Sequence, residues 1–291
     1  MSDANILVRI RGALPSLRPA ERRVAEAILA DPAAAAELSI SALARQCATS
    51  ETTVMRLCRS LGMERFPELR LALARAASIQ EARFGAEVQI DGDISATDSL
   101  ADVVRKIGFS DARAIEDTTS TLDIEALGRS AEAVNQARRI DLYGVGASGF
   151  VCQDLHQKLH RIGLLAFAWP DPNAALTSAA LLTEADVAVA ISHTGTTIDT
   201  VESLRLASSR GATTIAITNF VSSPVTEHAD LVLTTAARET TFRSGATASR
   251  IAQLAVVDCL FVAVAQRTYD SAMQALELTY AAVQDRRYPA R

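Results

Sequence analysis

Hydrophobic positions along this chain follow two different periods. From Leu17 to about Ala77 the period is helical. Leu17-Arg18-Pro19-Ala20-Glu21 opens a helix with Val24, Ala27 and Ile28 along one face, and Asp31-Pro32 breaks it. Between Ser78 and Ser99 the pattern lapses, and the polar, turn-rich Phe84-Gly85-Ala86-Glu87 and Asp91-Gly92-Asp93 predict a linker. Two helical patterns follow from Leu100, the second over Ile124 to Ala137. Thereafter short apolar runs alternate with helical ones. Strands are predicted at Ile140–Tyr143, Leu164–Trp169, Asp186–Ile191, Thr213–Thr218 and Leu231–Thr234. Strand and helix in alternation make βαβ units, hence an α/β, doubly wound parallel five-stranded sheet behind an all-α head. The longest apolar stretch, Ile251 to Ala265, is interrupted by Gln253 and Asp258. It reads as too short for a bilayer and as part of a buried helix, about Ala248 to Arg267, in the core or at a dimer contact.

Composition sharpens that division. A chain of 291 residues is long enough for two domains, taken as residues 1–77 and 100–291 with 78–99 between them. The net charge of −5 conceals an asymmetry, +3 through Ala77 and −8 beyond it. A basic head on an acidic body points to different partners for the two parts. The first residues carry no apolar core of signal-peptide length, which predicts a cytoplasmic protein that does not enter a membrane. Cys47, Cys58, Cys152 and Cys259 form no C-x-x-C pair and read as free thiols rather than metal ligands, so neither metal nor cofactor is expected.

Chemistry concentrates where strands end. The run Asp186-Val187-Ala188-Val189-Ala190-Ile191 empties into Ser192-His193-Thr194-Gly195-Thr196-Thr197, and a helix from about Ile198 to Arg210 follows. Hydroxyls and free N–H groups at a helix N-terminus make an anion site suited to phosphate. The same residues also serve as ordinary helix caps. A second strand-end loop, Gly144-Val145-Gly146-Ala147-Ser148-Gly149, can face the same crevice beyond the carboxyl ends of the strands. Its glycines satisfy the dinucleotide spacing G-x-G-x-x-G, but the next strand offers no acid until Asp171, past a proline. His156 and His160 lie on the helix after that loop and read as surface or satisfied residues, whereas His193 lies within the hydroxyl loop itself. Glu239, ahead of Phe242-Arg243-Ser244-Gly245, could act as a general base or, with Arg243, bind sugar hydroxyls.

The head fits a helix-turn-helix template from Ile40 to Gly62. Leu43 and Ala44 occupy the apolar and small sites of the first helix, Ala48-Thr49-Ser50 makes the turn, and Ser50 can cap the second helix. Val54, Leu57, Cys58 and Leu61 form the inward stripe, leaving Thr52, Thr53, Arg56, Arg59 and Ser60, with Ser50 at the helix start, as the candidates for DNA contact in the major groove. Arg22 and Arg23 would suit phosphate contacts. Ala48 stands where glycine is commonest, and Thr49 where an apolar residue is usual. An ordinary amphipathic helix pair with a solvated polar face would share much of this pattern.

These motifs together resemble the RpiR-type transcriptional regulators. The strings are Leu17-Arg18-Pro19-Ala20-Glu21-Arg22-Arg23-Val24-Ala25, Ser50-Glu51-Thr52-Thr53-Val54-Met55-Arg56-Leu57-Cys58-Arg59 and Phe66-Pro67-Glu68-Leu69-Arg70. The second half resembles a sugar isomerase (SIS) domain, through the Gly144 and Ser192 loops and Ser249-Arg250-Ile251-Ala252-Gln253-Leu254. The resemblance implies a regulator rather than an enzyme. Its head would bind a palindromic operator as a homodimer or homotetramer, and its SIS domain would sense a phosphorylated sugar, with amino sugars among the candidates. By that resemblance Ser192, Thr194 and Thr197 hold the phosphate through hydroxyls, Gly195 and Thr196 help with backbone N–H groups, and Ser148 with Gly146 closes on the ligand beside His193 and Glu239. The alternative is a phosphosugar aldose–ketose isomerase with Glu239 as its base.

Overall fold

A computed structural model of the chain describes residues 6–84, 94–239 and 248–284. The head contains α1 (Ile6–Ala13), α2 (Pro19–Ala30), α3 (Pro32–Glu37), α4 (Ile40–Gln46), α5 (Glu51–Ser60) and α6 (Phe66–Phe84). Its boundaries have local causes. Pro19 and Pro32 sit in the first helical turn, where a missing N–H costs nothing. Asp31, Ser39 and Ser50 accept from the N–H groups of Ala34, Ala42 and Thr53 at 2.9, 3.2 and 3.3 Å. Gly62, at φ +69°, ends α5, and the Met63 N–H then reaches back to Cys58 O at 2.9 Å. The stripe Val54, Leu57, Cys58 and Leu61 is buried as its spacing requires, against Leu7, Ile10, Val24, Ile28, Leu43 and Leu69. α6 continues to Phe84, beyond the head boundary read at Ala77. Residues 85–93 of the predicted linker lie outside the described residues, and residues 94–99 form a turn-containing lead into the next helix.

The body opens with α7 (Leu100–Thr121) and α8 (Ile124–Gln136) and continues as β1 (Arg139–Tyr143), α9 (Ala147–Arg161), β2 (Ala166–Trp169), α10 (Pro172–Ala179), β3 (Asp186–Ile191), α11 (Ile198–Ser209), β4 (Thr213–Thr218), β5 (Leu231–Thr234), α12 (Ala248–Arg267) and α13 (Tyr269–Gln284). All strand pairings are parallel and the order is β2-β1-β3-β4-β5. The three strands β3, β4 and β5 begin and end at the residues predicted. β2 is shorter: Leu164 and Leu165 precede it, and Leu165 is exposed. On β3 the large side chains Val187, Val189 and Ile191 face the layer of α8, α9 and α12, and Ala188 and Ala190 face α10 and α11. Burial on both faces explains the unbroken apolar run, and the alanines let α11 pack closely.

Helix α12 has twenty residues, longer than the apolar stretch judged too short for a bilayer, and its length and composition alone would suit one. Its burial argues otherwise: Val256, Val257, Leu260 and Val264 are fully covered by the sheet and its neighbouring helices. Cys47, Cys58 and Cys152 are free and buried, and burial pushes the Cys58 thiol up to about 11. β1 is anchored internally. The buried Asp141 carboxylate accepts two Arg139 nitrogens at 2.8 and 2.9 Å and the Tyr143 hydroxyl at 3.2 Å.

Candidate functional site

Chain reversal in the strand order falls between β1 and β3, where parallel α/β sheets open a crevice at their carboxyl edge. Tyr143 pairs with Ala190, so the Gly144 loop and the Ser192 loop leave the sheet side by side. Their glycines are there for different reasons. A Cβ on Gly144 would stand 2.8 Å from Cys152 Sγ and 2.9 Å from Ser148 O, so this one permits close packing of α9. Gly195, at φ +66°, makes the reversal in the second loop, and a Cβ there would fall 2.1 Å from Ser223 Oγ. Gly146, at φ +60°, faces open space.

The Ser192 loop is held from outside and paired within. Ser192 N–H donates to Ile217 O at 3.0 Å, His193 O accepts from Asn219 N–H at 3.0 Å and from Thr218 Oγ1 at 3.2 Å, and Gly195 O accepts from Val225 N–H at 3.0 Å. Within it, Ser192 Oγ and Thr197 Oγ1 lie 3.2 Å apart and Thr194 Oγ1 and Thr196 Oγ1 2.8 Å apart. The expected N–H donors are engaged: Gly195 N–H donates to Ser192 Oγ at 3.1 Å and Thr196 N–H to Thr194 Oγ1 at 3.3 Å. Donors remain instead at the helix starts. Thr197 and Gly146, the N-caps of α11 and α9, make no side-chain capping bond, unlike Asp31, Ser39, Ser50, Ser99, Asp123 and Asp171 at other helices. The capping reading of the Ser192 cluster therefore fails at Thr197. Two positive dipole ends without a side-chain cap open at the carboxyl edge of the sheet, and of the α9 first turn the Gly149 N–H is bonded to Gly146 O at 3.0 Å.

α12 supplies what sequence reasoning did not see. Buried Gln253 shares a hydrogen bond with Ser148 Oγ (3.2 to 3.3 Å) and fixes that hydroxyl at the mouth of α9. Ser249 Oγ donates to the Glu239 carboxylate. His193 packs edge-on against Phe220 at 5.7 Å, and its buried Nδ1 has no partner among the described residues. Burial lowers the His193 pKa, and the Glu239 charge opposes that shift. Arg243 lies outside the described residues. Trp169 Nε1 and Thr200 Oγ1, both buried and without a partner among the described residues, border a space of about 10 Å3, the size of one water. Asp171, the acid weighed for dinucleotide binding, instead caps α10 through Ala174 N–H at 2.8 Å. His156 Nδ1 is bonded to Ala166 O at 2.7 Å, away from the loops, and His156 stacks on His160.

In the head, α4 and α5 with the turn between them form the helix-turn-helix. Ala48 adopts φ +47°, which explains why glycine is common there. Thr52, Arg56 and Arg59 are exposed on α5 as expected. Thr53 is corrected, and three further candidates bond within the chain. Thr53 is buried, its Oγ1 3.1 Å from Ser50 Oγ, so this pair builds the helix start instead of presenting hydroxyls outward. Ser60 donates back to Arg56 O and Leu57 O, both at 3.0 Å, and lines the cleft facing the body. Arg22 and Arg23 give guanidinium N–H groups to backbone carbonyls: Arg22 to Leu14 and Pro15, Arg23 to Cys47 and Ala48. Arg23 thereby braces the turn.

Residues 4–80 match the family model for a helix-turn-helix domain of the rpiR family, and residues 133–263 match the model for an SIS domain. A DNA-reading head on an SIS body defines a class, the helix-turn-helix transcriptional regulators that carry a sugar-isomerase-type domain. An uncharacterised HTH-type transcriptional regulator of Caldanaerobacter subterraneus is 40% identical over 275 residues, spanning 94% of this chain and 95% of that protein. The HTH-type transcriptional regulator RpiR of Escherichia coli K12 is 33% identical over 263 residues, spanning 90% and 87%. The Vibrio vulnificus NanR protein complexed with ManNAc-6P aligns with a TM-score of 0.61 at 29% identity, over 98% of this chain and 100% of that one. The chain belongs to the RpiR family.

Proposed function

We propose that this regulator controls genes of sugar metabolism, amino sugars included, by changing its operator affinity when a phosphorylated sugar binds the crevice at the β1–β3 switch point. The observation that carries the reading is the pair of uncapped helix starts, α9 and α11, beside a loop of four hydroxyls. Phosphate oxygens would replace the two hydroxyl pairs and accept from the first-turn N–H groups of α11. Ser192, Thr194, Thr196 and Thr197 then hold the phosphate. Ser148, His193 and Glu239 face the sugar, and Gly146 leaves room for it. The phosphosugar in the NanR complex supports the same class of ligand here.

On the DNA side, Thr52, Arg56 and Arg59 are the side chains proposed to enter the major groove, with residues 1–77 as the reading head and 100–291 as the sensor. A cytoplasmic homodimer or tetramer on a palindromic operator fits the unfilled surfaces. α13 buries only Ala272 within the chain, and α7 exposes Leu100, Val104, Ile107 and Ile115. The test is a gel-shift titration of the full-length protein with a panel of phosphosugars that includes N-acetylmannosamine 6-phosphate. One member shifts operator affinity, and the unphosphorylated sugars do not. If none acts, and the protein interconverts a ketose and an aldose phosphate, the isomerase reading with Glu239 as base replaces this one.

A further inference from the structure

We propose that the cleft between head and body is a second ligand site, for a small organic anion bearing a carboxylate or phosphate. The cleft encloses about 360 Å3, within the range of small-molecule sites. The head contributes α1 and the end of the recognition helix α5, and the body contributes the segments that follow β4 and β5. Two guanidinium groups, Arg9 and Arg11, line it, and among the described residues no Asp or Glu does. Arg11 gives one nitrogen to Asp117 at 3.4 Å. Half-buried Arg9 has no ion pair or hydrogen bond among the described residues, and its Nη2 lies 3.1 Å from where a Cβ on Gly62 would stand.

A guanidinium turned into a cleft without a counter-charge gives up hydration and gains nothing, and an anion there supplies the missing partner. Carboxylate and phosphate match its planar fork. Ser222 adds a hydroxyl and Leu61 an apolar wall, so the ligand is an organic anion with a short carbon body. None of the Ser148 or Ser192 loop residues lines this cleft, and the assignment does not depend on the phosphosugar reading. The two places do meet at Asn219. Its N–H donates to His193 O, and its Oδ1 accepts from Ala237 N–H at 2.8 Å on the cleft wall. An occupant touching both Arg9 and Ser222 would hold the end of the recognition helix against the body.

The full-length chain is titrated calorimetrically with inorganic phosphate and with citrate, as wild type and as the variants Arg9→Gln, Ser222→Tyr and Thr197→Val. Wild type binds at least one of the anions. Arg9→Gln removes the charge and Ser222→Tyr fills the space, and each weakens binding about tenfold or more. Thr197→Val keeps this binding, because it alters only the hydroxyl loop. Failure of both anions to bind wild type overturns the proposal. So does binding that survives Arg9→Gln and Ser222→Tyr, or binding lost only in Thr197→Val, which would place the anion in the hydroxyl loop alone.

Discussion

Replacing Gly195 with alanine tests the hydroxyl loop where it has least room. At φ +66° a non-glycine residue costs about 1–2 kcal/mol in backbone energy. The new methyl would also lie 2.1 Å from Ser223 Oγ and 2.6 Å from Ser223 Cβ, an overpacking worth about 1–3 kcal/mol. The loop cannot slide away cheaply, because His193 O and Gly195 O are bonded to Asn219 and Val225. The sum, roughly 2–5 kcal/mol, lowers the Tm of a body of this size by roughly 4–20 °C. The alternative for the loop is to abandon its shape, and then the phosphosugar response disappears while unliganded operator binding is retained. Ser223→Gly removes both clashing atoms. The double variant Gly195→Ala/Ser223→Gly should therefore recover the packing share of the loss and keep only the φ share, measured against Ser223→Gly alone. Thermal melts with and without the phosphosugar identified by gel shift read both effects. A wild-type Tm and full ligand stabilisation in Gly195→Ala, or a double variant no better than that single one, would refute the reasoning.

Other expectations are more local. Arg56→Ala and Arg59→Ala should each weaken operator binding by about 1–3 kcal/mol in gel shift, whereas Thr53→Ala should lower head stability without altering which operator bases matter. Ala48→Gly relieves a left-handed residue costing about 1–2 kcal/mol and returns about 0.4–1 kcal/mol of chain entropy to the unfolded state. It should raise the urea midpoint, and an unchanged or lower midpoint counts against the φ argument. By NMR, His193 should titrate below ordinary histidine, and Glu239→Gln should lower it further by removing the opposing charge. The unfolded chain takes up this proton first. The His193 share of stability is therefore complete above a pH of about 6.5 and declines as pH falls from there toward the folded pKa.

Much of the architecture was legible because period and burial coincide. β3 could be read to the residue since both its faces are covered, and the α5 stripe since one face is. What could not be read is direction and distant partnership. Thr53 looks like a groove-facing hydroxyl by polarity, yet it stands three residues after Ser50, where the cap folds its side chain inward. Arg23 looks like a phosphate ligand by charge alone, yet it meets the carbonyls of Cys47 and Ala48, 24 and 25 residues away. Gln253 meets Ser148 across 105 positions, a pairing that only the packing of α12 against α9 creates. The hydroxyl loop was visible as a cluster. That its Gly195 N–H turns inward to Ser192, leaving the α11 and α9 starts without side-chain caps, required the folded backbone.

A sensor must also convey occupancy to its head, and here a chain of contacts spans the distance. His193 O holds Asn219 N–H, and Asn219 Oδ1 accepts from Thr235 Oγ1 at 3.2 Å and from Ala237 N–H at 2.8 Å. Between these two residues, Ala236 N–H donates to buried Thr118 Oγ1 at 3.0 Å, and the next residue back on α7, Asp117, pairs with Arg11 of α1. Adjacency alone is not coupling, and a ligand moves the head only through different contacts in two arrangements. Thr118→Val tests the central link. It keeps the side-chain shape but strands the Ala236 N–H, at a cost of about 1–3 kcal/mol. It touches neither Thr197 nor Arg56, so the phosphosugar should still bind by calorimetry and the free protein should still bind its operator. The ratio of operator Kd values with and without phosphosugar should move toward one. A ratio equal to that of wild type would mean that the head is reached by another route.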